Sequence, residues 1–156
     1  MKKTPTLLTI LFLIGCATLS PISGGVLKQN GTYILNESKD VQIEIVRSGL
    51  GTQLGRVEVI LKNNSSEPIQ IDYMQTVIMT DTGEQVTALG PEEAAASISI
   101  EASDVMREGI GKVMLQPRGF ISGAFFFKPP SQPFRMLTFK FKGIQGSPEL
   151  SLGTGG

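Results

Sequence analysis

A chain of 156 residues with 14 basic and 14 acidic side chains, one cysteine, and neither histidine nor tryptophan has the size of a single domain. The lone cysteine excludes an internal disulfide, and the missing histidine excludes Ser-His-Asp, Cys-His and His-ligated zinc chemistry. At this length one core buries roughly 70% of the unfolded chain's surface, so the fold requires no structural metal, and the residues imply no cofactor.

The chain opens on Met1, Lys2 and Lys3, followed by an apolar run from Leu7 to Ile14 broken only by Thr9, which is a secretory signal pattern. Such a run rises about 12 Å as a helix, too little to cross a hydrocarbon core of roughly 30 Å. It ends in Leu13-Ile14-Gly15-Cys16, and these four residues resemble the lipobox of bacterial lipoproteins at every position. The resemblance implies that residues 1–15 are removed as a signal peptide. It also implies that Cys16 carries a diacylglycerol thioether and that its freed amino group is acylated, for example with palmitate. Two or three acyl chains, at about 0.8 kcal/mol per buried methylene, hold a small domain on a membrane. Ala17 stands where inner-membrane lipoproteins commonly have aspartate, which implies the outer membrane, facing the periplasm, in a diderm host. Loss of residues 1–15 takes Lys2 and Lys3 away and leaves twelve basic against fourteen acidic groups. That balance, with secretion, argues against nucleic acid as a partner.

Residues 16–25 read as the lipidated cysteine and a flexible tether, because ATLSPISGG is small and polar; nine such residues would reach about 15–18 Å. The domain is expected over 26–145. Asn30-Gly31, between Val26–Gln29 and Thr32–Leu35, is a two-residue hairpin signal. Val41, Ile43 and Ile45 then alternate with polar residues as a half-buried strand does, and Val57, Val59 and Leu61 repeat the pattern before the polar turn from Asn63 to Pro68. Ile69 and Ile71 restart it, and Val77 and Met79 continue it as far as the turn Asp81-Thr82-Gly83-Glu84. Another strand covers Gln85 to Leu89. Pro91, Glu92, Glu93 and three alanines predict a short helix. Residues 97–101 fit either strand or continued helix. Ile110 to Gln116 reads as a strand, and Pro117-Arg118-Gly119 turns it into the apolar run Phe120 to Phe127, which implies burial on both faces. Phe134 to Lys142 reads as the last strand, with Leu137, Phe139 and Phe141 inward. Residues 146–156 read as a disordered tail.

The expected fold is therefore all-β: an antiparallel β-sandwich of about seven to nine strands with at most one short helix. The segments RVEVILKNNSSEPIQID, TDTGE, LQPRGFISGAFFFKPP and FRMLTFKFKG, between Val41 and Gly143, resemble a broad group of bacterial immunoglobulin-like envelope domains, many of them lipoproteins of uncharacterised function. What that resemblance implies is an immunoglobulin-like sandwich more than any activity.

Few constellations carry chemistry. Gly49, Gly51 and Gly55 approach a dinucleotide fingerprint, but a strand follows them where anion binding needs a helix. No Gly-x-Ser-x-Gly is present. Glu92 and Glu93 suit a helix N-terminus better than paired acid and base. Asp72, Asp81 and Asp104 lack calcium-loop spacing, so no metal site is expected. Asn30, Asn36, Asn63 and Asn64 fall in Asn-x-Ser/Thr triplets, and turn roles account for them. Lys128, Arg135, Lys140 and Lys142 form an acid-free basic stretch, opposite in sign to Glu92, Glu93, Glu101, Asp104 and Glu108. The expected function is a membrane-anchored, non-enzymatic envelope lipoprotein whose partner is another envelope protein. The alternative is binding of an anionic envelope polymer or lipid headgroup through Lys128, Arg135, Lys140 and Lys142.

Overall fold

The computed structural model describes residues 17–30, 33–35, 40–98, 102–142, 144 and 147–154. Residues 1–15, expected to be a signal peptide, Cys16, the Asn36 triplet and most of the ambiguous 97–101 segment lie outside the described residues; within that segment Ser97 ends a helix and Ile98 is in neither helix nor strand. The strands are β1 (Ala17–Ser23), β2 (Val26–Leu27), β3 (Tyr33–Leu35), β4 (Val41–Leu50), β5 (Gly55–Asn63), β6 (Ile69–Asp72), β7 (Thr76–Thr80), β8 (Gln85–Val86), β9 (Ala88–Leu89), β10 (Lys112–Leu115), β11 (Phe120–Phe127), β12 (Met136–Phe141) and β13 (Glu149–Thr154). A 3-10 turn covers Tyr73–Gln75, and two short helices, α1 (Pro91–Ala96) and α2 (Ala102–Glu108), follow β9. The fold is all-β and sandwich-like, and every pairing between these strands is antiparallel.

One layer runs β1-β4-β5-β11-β9 and the other β8-β7-β12-β13-β1. β1 belongs to both, because Ala17 and Thr18 pair with β4 while Leu19 to Ser23 pair with β13. The segment Gln85 to Leu89, expected as one strand, does the same on the opposite side. β8 pairs β7 in one layer and β9 pairs β11 in the other, with exposed Thr87 between them. The layers are thus joined at both sides, and the sheet approaches closure, which removes most of its free edge.

Between the layers, Val41, Ile43, Ile45, Val57, Val59 and Leu61 face Ile78, Leu137, Phe139, Phe141, Leu150 and Leu152 in one core. Phe125 meets Phe141 and Phe127 meets Phe139, each with ring centroids 5.3 Å apart, tilted or edge-on as ring quadrupoles favour. Gly55 is required beside them, because a β-carbon there would enter the Phe127 ring. A two-stranded sheet of β6 and β10 adds Ile71 and Leu115 to this core.

The expected periodicity holds in β4, β5 and β12, whose alternate apolar residues are buried. Elsewhere the structure corrects it. Residues 17–23 are a strand and not a tether: a chain flanked on both sides gains backbone hydrogen bonds whatever its side chains, and Leu19 supplies an inward anchor. Residues 149–154 are a strand and not a disordered tail, with Leu150 and Leu152 wholly buried. β12 is therefore not the last strand but is flanked by β7 and β13. In β7 the inward residue is Ile78, while Met79 is exposed; the 3-10 turn shifts the phase by one residue, which exchanges the two faces. Burial on both faces of β11 holds from Ala124 to Phe127, where α1 and α2 cover the outside through Ala94, Ala95 and Val105, whereas Phe120 is exposed. Two short helices, α1 and α2, share the cover of that apolar face of β11. Val26 and Leu27 pair with Ile34 and Tyr33 as the expected β2–β3 hairpin, and Gly31 and Thr32 lie outside the described residues.

Candidate functional site

Two β-bulges create the most apolar groove among those described. In β4, Ile45 pairs with Val59 and Arg47 with Glu58, so Val46 is an extra residue. Without it the alternation Val41, Ile43, Ile45 would turn Arg47 into the core; with it, Arg47 faces outward and Ser48 turns inward. In β1, Pro21 pairs with Leu152 and Ser23 with Ser151, which makes Ile22 the extra residue. Both bulged residues are apolar and exposed, Ile22 at 57% and Val46 at 55%.

They face the same space. Along one edge of β4, β3 pairs as far as Ile45, and β1 begins pairing at Gly49. The gap at Val46, Arg47 and Ser48 opens a groove of about 430 Å³, walled by Leu19 and Ile22 of β1 and by Leu27 and Tyr33 of the hairpin. Leu27 is 69% exposed, so three of the large exposed apolar side chains share this groove. Its frame is fixed by polar contacts. Ser48 Oγ donates to the Leu19 carbonyl at 2.8 Å, and the Tyr33 hydroxyl accepts from the Gly25 N–H at 2.9 Å.

A smaller pocket of about 290 Å³ adjoins it, sharing Val46 and Arg47. Here Arg47 donates to both oxygens of Glu58, at 2.7 and 2.8 Å, and Arg56 bridges Glu58 and Glu108. The hydrogen bond to Glu58, and then its charge, raise the Arg47 pKa further above its ordinary value. Nε of Arg56 is buried with no protein partner. The carboxylates in this pocket are engaged by guanidinium groups, which suits electrostatic cross-linking of β4, β5 and α2 better than proton transfer.

Of the basic stretch, Lys140 lies in β12, with Arg135 just before that strand and Lys142 just after it. Lys140 pairs with Glu149 at 2.8 Å. Arg135 precedes β12 and Lys142 follows it, roughly 23 Å apart at about 3.3 Å per residue. Lys128 follows the end of β11, where its N–H donates to the Thr87 carbonyl. The acidic residues of opposite sign are also employed locally: Glu93 accepts the Gly90 N–H at the start of α1, Glu108 holds Arg56, and Asp104 holds Arg107. Glu101 lies outside the described residues. Met74, Met79 and Met106 are exposed on the 3-10 turn, β7 and α2 respectively. The loop Gly51 to Leu54 is a hairpin connection closed by the Gly51 N–H on the Leu54 carbonyl.

Sequence reasoning missed the groove. The available signal was the phase break in β4, where a period-two pattern would send Arg47 inward. Among the described residues no cluster of three metal-ligating side chains occurs, and no helix is long and apolar enough to cross a membrane. No protein-family model matches the sequence, and neither does any curated protein. Among solved structures the chain is similar to the crystal structure of the yjhA protein from Bacillus subtilis, with a TM-score of 0.47 and 11% identity, covering 82% of this chain and 83% of that one. A likeness that distant carries no argument about fold or function.

Proposed function

We propose that the chain is a cell-envelope lipoprotein, anchored through acylated Cys16, whose small sandwich acts as a non-enzymatic interaction or structural module. The observation that carries this reading is Leu13-Ile14-Gly15-Cys16 at the end of a short apolar run, with the chain's single cysteine at the position acylation requires. Two features of the domain support it. The most apolar groove described among its residues is an open surface feature, suited to contact with a partner or interface. Its charged side chains near that groove are engaged with one another and not poised around a nucleophile. The mechanism is local concentration: a module held on a surface meets its neighbours there at high effective concentration, so a weak interface suffices. Ala17 after the cysteine points to the outer membrane in a host that has one.

Metabolic labelling with a palmitate analogue tests the anchor. The expected result is label on the wild-type chain, none on Cys16→Ser, and transfer of Cys16→Ser from the membrane fraction to the soluble fraction. An unlabelled wild-type chain overturns the reading. Crosslinking in native membranes followed by mass spectrometry then identifies the envelope protein it contacts.

A further inference from the structure

We infer that the groove between β1, the β2–β3 hairpin and the β4 bulge is a bilayer-docking surface, which seats the domain directly on the membrane that holds its anchor. The inference rests on the acylation of Cys16 proposed above and adds an orientation to it.

Two observations converge. The first is the absence of slack. Ala17 is already paired with Leu50, so the acylated residue is one peptide, about 3.8 Å, from an ordered strand. A domain held so closely cannot swing clear, and the face around the start of β1 must lie at the lipid surface. The second is the chemistry of that face. Thr18, two residues from Cys16, lines the groove, and so do Ile22, Leu27 and Val46, more than half exposed and rising from two bulges and a hairpin end. Apolar side chains projecting beside an anchor bury themselves at the boundary between headgroups and acyl chains.

Other occupants fit less well. A stable contact with a second copy needs roughly 1,000 Å² or more of total buried surface, beyond what three apolar side chains around one groove provide. The protein's own acyl chains would gain no more per methylene in this open groove than in the bilayer beside it.

The test uses the full chain, expressed with its signal sequence, purified from membranes and reconstituted in phosphatidylethanolamine–phosphatidylglycerol vesicles. Ile22→Cys, Leu27→Cys and Val46→Cys each carry a thiol-linked fluorophore, with Met74→Cys, an exposed apolar residue outside the groove, as reference. Quenching is read from lipids bearing a nitroxide on the acyl chain. At least threefold stronger quenching at positions 22, 27 and 46 than at 74 supports docking. Equal quenching at all four, with mass spectrometry finding diacylglycerol on Cys16, overturns the docking surface and leaves the anchor standing. An unmodified Cys16 overturns the anchor, and the docking inference with it. Groove labels shielded from water but unquenched also overturn docking: crosslinks between molecules then identify a second copy as the occupant, and their absence identifies the protein's own acyl chain.

Discussion

Asn63 shows how much one buried side chain can organise. It is 1% exposed, and its Nδ2 donates to the carbonyls of Glu67, Leu115 and Gln116 at 2.7, 3.1 and 3.2 Å, while Oδ1 accepts from the Ser65 N–H and hydroxyl. The end of β5, the turn after it and the end of β10 therefore meet on one amide. The sequence assigned Asn63 a turn role, which it has, but only the fold supplies the partners from residues 115 and 116. Asn63→Ala leaves buried carbonyls without a donor and is expected to cost about 1–3 kcal/mol in denaturant unfolding. Asn63→Asp is expected to cost more, since a carboxylate faces those carbonyls with no proton to offer. Arg118 is a second such residue. The Gly119 N–H donates to the Gln116 carbonyl across Pro117 and Arg118, and Arg118, not the glycine beside it, takes the positive φ of 60°.

At the level of elements, the turn between β7 and β8 is clamped to the segment before β12 by two carboxylates. Asp81 accepts the N–H groups of Arg135 and Met136, and Glu84 accepts the N–H and hydroxyl of Ser131 and the N–H of Gln132. These bonds, that of the Arg135 N–H foremost for Asp81 and of the Ser131 N–H for Glu84, hold both carboxyls below their ordinary pKa values. A carboxylate whose pKa is depressed by folding stabilises the native state fully above its unfolded value near 4, and that contribution is lost as pH falls through the folded value. The thermal midpoint is thus expected to fall on acidification below about pH 4. The double variant Asp81→Asn, Glu84→Gln is expected to melt lower than wild type at neutral pH and to converge with it in strong acid. Parallel melting curves across that range would show that these bonds contribute nothing to stability. The sequence marked Asp81 to Glu84 as a turn, and the positive φ of Gly83 agrees, but the clamp depends on residues some fifty positions away.

For the whole molecule, the decisive elements are the two that composition concealed. β1 joins the layers, and β13 lies between β1 and β12, so both ends of the described chain are structural. Deleting residues 147–156 exposes the neighbouring strands and removes Leu150 and Leu152 from the core. The expected outcome is loss of the cooperative unfolding transition in circular dichroism, where a disordered tail would leave the midpoint unchanged. Leu152→Ala, which keeps the strand, is expected to cost about 2–5 kcal/mol.

Hydrophobic alternation determined, from the sequence by itself, that the fold is all-β, where most strands lie and which faces of β4, β5 and β12 turn inward; a side chain's polarity is a local property, and period two expresses it directly. Only the tertiary structure decided that Ala17–Ser23 and Glu149–Thr154 are strands and that Val46 and Ile22 bulge outward. Strand pairing is made by backbone groups that all these residues share, and its register is set by partners far along the chain, so it leaves little trace in the composition of either strand.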